Sequence, residues 1–298
     1  MPVKSDITET HGFPIPQDAM IESVAGMGSP QHHVMPLSIG SLFKAILGRD
    51  TKTGAGDPYT HTIDWGATAP LALPYYTVWS QLGNGLFEKF VDCRLTHLKL
   101  HGDSTKFLEV TATWIGGVPS FLSAEETTAT LEKTLRIRYA DGIAALKFEG
   151  AAMPLARSFD IDIDRGVTLV PGDSSTPNDT IEGAFSAILA LTYLPAEFQL
   201  FNRLVYGTAS PSNAAVPVIA PVELAGSPAG IDYKFLTASA PERSLEILMP
   251  RVQLEPFNDA PNVTPGPIVR TVSFKAFGPA AGATPVTAIV LNSQATAY

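Results

Sequence analysis

Alternation of apolar and polar residues, the pattern of a half-buried β-strand, recurs along much of the chain. Between Leu108 and Trp114 every second residue is apolar, and the intervening residues are Glu or Thr. Phe159, Ile161 and Ile163 alternate with three aspartates, and in 185–193 Phe185 and every second residue after it hold one apolar face. Because successive side chains of a strand point to opposite faces, each stretch predicts a strand with one buried face. Further strands are predicted at 93–101, 134–139, 143–148, 244–252, 269–277 and 286–292.

Short helices and a tight turn interrupt the strands. Between Ser38 and Gly48 apolar residues recur at helical spacing, with Ser38 as the N-cap and Gly48 as the stop. A second helix is predicted over 194–207, where Pro195 lies in the first turn and Gly207 ends it. Residues 140–142, Ala-Asp-Gly, predict a hairpin between the strands on either side. The pattern therefore predicts a mainly β fold with short flanking helices.

The same pattern divides the chain into four regions. Residues 1–36 are rich in Pro and Gly without a sustained period, which predicts an extended N-terminal arm lying on another surface. We assign 37–118 to a first half, 119–157 to a connecting hairpin region and 158–298 to a second half. Both halves combine a short helix with a strand–turn–strand unit, so an internal duplication is one hypothesis, although the order of elements is shifted.

Residues 208–230 carry a single charge, Glu223. A disordered linker is normally more polar. Two interpretations stay open: a loop that docks on a neighbouring subunit, or an ordinary long surface loop.

Composition favours association with other subunits. Hydrophobic residues make up 45% of the chain and charged residues 16%, below the roughly 25% of typical soluble domains. No run approaches the ~18 apolar residues of a membrane helix. A net charge of -9 argues against gripping DNA phosphates. The first eight residues do not resemble a signal peptide and Cys93 is the single cysteine, so a reducing cytoplasm is expected.

Histidines and aspartates are the candidate metal ligands in the sequence. His97 and His101 share one face of a strand but lie roughly 13 Å apart along it, too far to hold one ion without a bulge. His32 and His33 lie in the arm, where a solvated or interface role is expected.

Asp160, Asp162 and Asp164 resemble the opening of a calcium loop. Such a loop requires Gly and Glu where this chain has Arg165 and Pro171. A solvated strand face is therefore the favoured interpretation.

No catalytic motif is present in the sequence. Residues 83–85, Gly-Asn-Gly, lack the third glycine and the helix of a dinucleotide-binding loop. The sequence predicts no catalytic, cofactor-binding or metal-binding residues. A pair of glycosidase carboxylates stays an open alternative, because their separation is set by the fold and not by local spacing.

Five segments share a pattern with a known family. In order they are LPYYTV (73–78), VDCRLTHLKLHG (91–102), LEVTATWIGG (108–117), SLEILMPRV (244–252) and RTVSFKAF (270–277). Together with the helix-then-Gly element at 38–48, they resemble the major tail tube proteins of long-tailed, non-contractile (siphovirus-type) bacteriophages. The resemblance is one of strand pattern and spans most of the chain from 38 to 292.

The resemblance implies a β-sandwich or small barrel that assembles with itself into stacked rings around a channel. Three subunits per ring are expected if the halves are duplicated, and six otherwise. It further implies contacts with tape measure, tail terminator and distal tail proteins, DNA that passes through without specific binding, no membrane partner, and a virion location after assembly in the host cytoplasm. It brings no catalytic residues or cofactor.

Two other function classes remain open. A carbohydrate-binding or carbohydrate-cleaving β-sandwich would use exposed aromatics, for which Trp65, Trp79 and Tyr75 are candidates, while Trp114 fits a buried face. The other class is a different structural protein: a capsid decoration protein, a tail terminator or the tube of a bacterial secretion machine. Polymer formation separates a tube from a decoration protein, and sugar binding by a monomer would identify the carbohydrate class.

Overall fold

Two β-sheets make up most of the molecule. The computed structural model describes residues 3–6, 20–24, 26–66, 72–81, 87–117, 119–122, 136–139, 143–152, 156–170, 179–193, 202, 206–208, 212, 223–225, 229–237, 242–255, 270–280 and 283–298. Their elements are β1 (Val3–Asp6), β2 (Met20–Val24), β3 (Gly26–Gly28), β4 (Gln31–His33), α1 (Ile39–Leu47), β5 (Arg49–Thr53), β6 (Tyr59–Asp64), β7 (Tyr76–Gln81), β8 (Phe87–Asp103), β9 (Glu109–Gly116), β10 (Pro119–Leu122), β11 (Ile143–Phe148), β12 (Ala151–Ala152), β13 (Ser158–Asp164), β14 (Thr168–Val170), β15 (Asp179–Ile181), β16 (Ser186–Tyr193), β17 (Glu223–Ala225), β18 (Ile231–Leu236), β19 (Ser244–Met249), β20 (Arg251–Leu254), β21 (Arg270–Phe277) and β22 (Thr287–Asn292).

The two large sheets are antiparallel and share one core. The eleven-stranded sheet runs β17-β20-β21-β16-β13-β8-β9-β3, with β4 also paired to β9 and with β7 and β10 paired to β8. The seven-stranded sheet runs β12-β11-β18-β19-β22-β6-β5. Within the described residues neither sheet closes into a barrel, so the mainly β prediction is confirmed in its sandwich form.

Inward-facing residues of both sheets form a continuous apolar core. Phe159 of the larger sheet stacks on Phe235 of the smaller at a centroid distance of 5.1 Å. Phe148 and Phe274 meet across the same gap at 5.7 Å.

The predicted alternation is confirmed for β13, for 186–192 of β16 and for β9 as far as Ala112, because the inward residues there are buried and the polar ones are not. The alternation of β9 breaks at Trp114, which is partly buried, and Ile115, which is buried.

The predicted helix at 38–48 is confirmed as α1. It buries Ile39, Phe43 and Ile46 and packs against β6, β8 and β22. Gly48 ends it with φ of 105° and donates its N–H to Lys44 O at 2.8 Å, a backbone conformation that favours glycine. Ser38 occupies the N-cap position, but its backbone is helical and its side chain makes no capping hydrogen bond.

The second predicted helix, 194–207, lies almost entirely outside the described residues. So does most of the loop 208–230. Residues 223–225 of that loop form β17, which pairs with β20 at one edge of the larger sheet and buries Leu224.

The predicted single strand 244–252 is wrong, because the chain changes sheets at Pro250. β19 pairs with β18 and β22 in the smaller sheet, whereas β20 pairs with β17 and β21 in the larger one. Proline has no N–H for a strand ladder, so it interrupts the strand at this crossing.

The predicted hairpin around 140–142 is also wrong. Ile137 donates its N–H to Val34 O (3.2 Å) and accepts from Leu108 N (2.9 Å). The strand after the turn, β11, pairs instead with β18 and with β12. The turn residues themselves lie outside the described part.

Part of the predicted arm belongs to the body of the chain. β3 and β4 pair with β9, and β1 pairs with β2. Contact of the arm with another subunit stays a prediction, as do the four-region division and the internal duplication. The two strand–turn–strand units are present as β8–β9 and β13–β16, and β8 pairs with β13.

Candidate functional site

One end of the larger sheet extends beyond the core as a three-stranded blade. The blade consists of β7, residues 87–92 of β8, and β10, with β8 in the middle. The other half of β8 lies inside the sandwich between β9 and β13. At the usual strand rise, residues 87–92 extend about 20 Å.

Apolar side chains occupy both faces of the blade. The strand register places Trp79, Phe87 and Leu122 on one face. Val78, Phe90 and Phe121 share the opposite face. No blade residue whose exposure is described is buried; Trp79 is 44% and Phe121 57% exposed. Trp79 and Phe121 therefore expose apolar surface on opposite faces of the blade, whose other described residues are half-buried or exposed.

A β-bulge marks the junction of the blade with the sandwich. Tyr76 pairs with Cys93 and Val78 with Phe90, so the exposed residues Val91 and Asp92 stand opposite Thr77 alone. Asp92 has φ of 56°. Bulges bend a strand and redirect it, which explains how one strand serves both the core and the blade.

A cleft of about 240 Å³ lies at the base of the blade. Its lining includes Trp79, Phe90 and Trp114, with Cys93 beneath them. Burial, and secondarily the charge of Asp92, raises the pKa of the Cys93 thiol to about 11. A protonated, buried thiol is a poor nucleophile, so the structure gives Cys93 a packing role.

The outer face of the larger sheet is polar. His97, Lys99 and His101 of β8 stand opposite Asp164, Asp162 and Asp160 of β13. His97 Nε2 contacts Asp162 Oδ1 at 2.5 Å, and His101 Nδ1 contacts Asp160 Oδ1 at 2.9 Å. Lys99 Nζ lies 3.1 Å from the same Asp160 oxygen.

In the sequence these histidines and aspartates form two separate candidate sites. The structure brings them together as cross-strand pairs, a relationship that depends on the register between β8 and β13. Their side chains are about a third exposed, and such pairs contribute little to stability. Among the described residues, no group of three or more His, Cys, Asp or Glu is placed to hold a metal ion.

Near the blade, a charged cluster covers part of the outer face. Arg94 NH1 donates to Thr180 O at 3.2 Å and lies 3.5 Å from Glu182 Oε1. The other carboxylate oxygen of Glu182 accepts from Arg165, and Glu182 Oε1 also accepts from Leu73 N at 2.7 Å. Arg165, the residue that breaks the calcium-loop pattern, thus serves this cluster; the position of Pro171 lies outside the described residues.

Tyr75 closes the cluster on the solvent side. Its ring lies 4.0 Å from the Arg94 guanidinium, and its hydroxyl donates to Asp179 Oδ1 at 2.6 Å. That hydrogen bond lowers the pKa of Asp179 and raises the pKa of Tyr75. The contacts fasten the β14–β15 hairpin onto β8.

The aromatic candidates for sugar stacking differ in exposure. Trp65 is buried with its ring against Phe185 at 4.8 Å, so it offers no open platform. Tyr75 and Trp79 are exposed, but Tyr75 already stacks on Arg94. Trp114, predicted on a buried face, is only partly buried: it packs against the core and the ring of Tyr76 and lines the cleft. Residues 83–85 lie outside the described part.

The described part of the chain holds no helix with the length and hydropathy of a membrane span. A search of curated proteins gives no match. The family description "Phage tail tube protein" matches residues 28–276. The matched range includes the blade, the polar face and most strands of both sheets, though not β22, and it covers well over half of the chain. The chain therefore belongs to the phage tail tube protein family and is a structural component of the virion.

Proposed function

We propose that copies of this chain associate into stacked rings, forming the tube of a non-contractile tail through which the genome enters the host. Three or six copies would form a ring. The tube would also contact tape measure, tail terminator and distal tail proteins after assembly in the host cytoplasm. The chain would act as a structural part without catalysis.

The apolar blade is the observation that carries the proposal. Trp79 and Phe121 expose apolar surface on opposite faces. Removing apolar surface from water contributes about 25 cal/mol per Å², so a neighbouring copy on each face would stabilise the blade. A closed ring or a stack supplies two such neighbours for every subunit.

Strand edges offer a second means of association. Within the described residues, β5 and β12 are the outer strands of the smaller sheet, and β17 is an outer strand of the larger. Unpaired backbone groups at an edge favour strand pairing with another chain. A tube subunit can use such edges between copies.

The polar face suits the wall of a conduit. Two of its cations lie beside carboxylates: Lys99 beside Asp160, and Arg251 beside Glu223. Lys275 of β21 is exposed on the same face. Lys99 and Arg251, neutralised in this way, would attract DNA phosphates weakly, since gripping requires clustered free Lys and Arg. We therefore assign this face to the channel.

The test compares assembly of the wild type with two single variants. Phe121→Ser removes an exposed aromatic of the blade, and Ile181→Ser removes an equally exposed apolar side chain on β15, outside it. Negative-stain electron microscopy and size-exclusion chromatography at rising concentration should show tubes or rings for the wild type and Ile181→Ser. Phe121→Ser should stay monomeric with an unchanged circular dichroism spectrum.

Equal assembly of the two variants would contradict the role of the blade. A wild-type monomer at every concentration would contradict the tube itself. Glycan binding by that monomer would then support the carbohydrate-binding alternative.

A further inference from the structure

The final segment of the described chain, residues 293–298, is fastened to the smaller sheet as a strap. Tyr298 N donates to Asp50 Oδ2 at 2.8 Å, and Tyr298 Oη donates to Leu37 O at 2.9 Å. The Tyr298 ring fills the space beside Gly40 of α1, where a β-carbon would lie 2.1 Å from Cε2. The strap therefore depends on β5 and α1 for its position.

A fully buried histidine lies beneath the strap. His61 is 0% exposed. Its Nδ1 contacts Asp50 Oδ2 at 3.0 Å, and its Nε2 contacts Gln294 O at 2.9 Å. The Tyr298 ring packs against the imidazole at a centroid distance of 4.7 Å, with the two ring planes tilted by 50°.

Both contacts of the imidazole require a proton. A backbone carbonyl only accepts, so Nε2 must carry hydrogen toward Gln294 O. A second proton must lie between Nδ1 and Asp50 Oδ2, whichever of the two atoms holds it. The closed strap thus needs His61 and Asp50 to share two protons.

We propose that the His61–Asp50 pair is a proton-dependent lock that holds the strap closed. When the pair loses one proton, one of the two contacts has no hydrogen. Either Nδ1 of His61 then faces the Asp50 carboxylate, or Nε2 faces the Gln294 carbonyl, as two acceptors. Both side chains are fully buried, so water does not replace the missing donor while the strap is closed. Since the closed form retains a proton that the open form releases, a rise in pH opens the strap.

Few other charged groups surround the lock. On β5, Lys52 stands opposite His61 in the register, with Nζ 4.2 Å from the centre of the Tyr59 ring of β6. The one charged residue of α1 is Lys44, and β22 has none. Tyr298 carries the one titratable side chain of residues 293–298.

The first experiment measures the wild-type chain by NMR with labelled imidazole nitrogens. At about pH 6, His61 should show hydrogen on both nitrogens, or a proton shared with Asp50, while the Tyr298 amide is protected from exchange. Protection of that amide, corrected for intrinsic exchange, should fall about tenfold or more by about pH 9. A singly protonated His61 with no proton on Asp50, under a protected Tyr298 amide, overturns the proposal.

Two variants separate the lock from ordinary packing. His61→Gln removes the titrating ring, and protection of Tyr298 should then lose its pH dependence. Tyr298→Phe keeps the ring and the amide, so it should keep the pH dependence while lowering protection at every pH. An unchanged pH dependence in His61→Gln contradicts the lock; if that variant does not fold, the wild-type measurement still decides.

Discussion

Phe159 places its ring directly over Gly102 of the neighbouring strand. A β-carbon at Gly102 would lie 2.2 Å from Cε1 of that ring. The same ring also contacts the ring of Tyr233 in the opposite sheet, at a centroid distance of 4.8 Å. The absence of a side chain at Gly102 therefore lets one aromatic ring join the two sheets.

Gly102→Ala should destabilise the fold by about 1–3 kcal/mol, since the ring or the strand must move. Urea unfolding followed by tryptophan fluorescence measures this. Gly56→Ala is the control, because nothing lies within 4 Å of a β-carbon there. Equal stability of the two variants would mean that the interior accommodates the methyl group without strain.

Glu182→Gln should cost about 3 kcal/mol, because it removes the carboxylate that Arg94 and Arg165, both buried, share. Asp160→Asn, on the half-exposed polar face, should cost less than about 1 kcal/mol. Urea unfolding of both variants gives the comparison. A larger loss at Asp160 would contradict the distinction drawn between the two clusters.

Cys93 should react slowly with thiol reagents. With its pKa raised to about 11 by burial, roughly one thiol in a thousand is ionised at about pH 8. Denaturant should restore the rate of an ordinary cysteine, which serves as the internal control. Rapid modification of the native protein would show that the base of the blade opens.

Glu246→Gln should raise the melting temperature near neutral pH. Burial, and then the charge of Asp232, raises the pKa of Glu246, so the fold favours its protonated form. The wild type therefore loses stability as pH rises through that pKa, and the glutamine variant does not. The difference in melting temperature between the glutamine variant and the wild type should vanish as pH falls toward about 4.

Glu223→Gln is the matched control, and its change in melting temperature should have the opposite sign. The hydrogen bond from Arg251 lowers the pKa of Glu223, so its ionised form stabilises the fold above its ordinary pKa. This variant should melt lower near neutral pH and match the wild type in acid. Shifts of the same sign in both variants would contradict the assignment.

Local pattern predicted much of the secondary structure. The alternation in β13, Phe159 to Ile163 against three aspartates, identified both the strand and its buried face. Helical spacing likewise located α1. These predictions succeed because the period of a strand or helix is written in consecutive residues.

Pairing between distant strands was not predictable in the same way. The contact of His97 with Asp162 follows from the register of β8 and β13, which depends on the whole core. The blade was missed because an exposed apolar strand and a buried one have similar sequences. Pro250, within an apolar run, was the one local sign that 244–252 divides between sheets.

The pairing of β22 with β6 determines when the smaller sheet can form during synthesis of the chain. Val290 of β22 pairs with His61 of β6. More than two hundred further residues must therefore be synthesised after β6 before β22 is available to pair with it. Such non-local pairing slows folding. A nascent subunit thus cannot complete its smaller sheet for pairing with other copies until residues 287–292 have been synthesised.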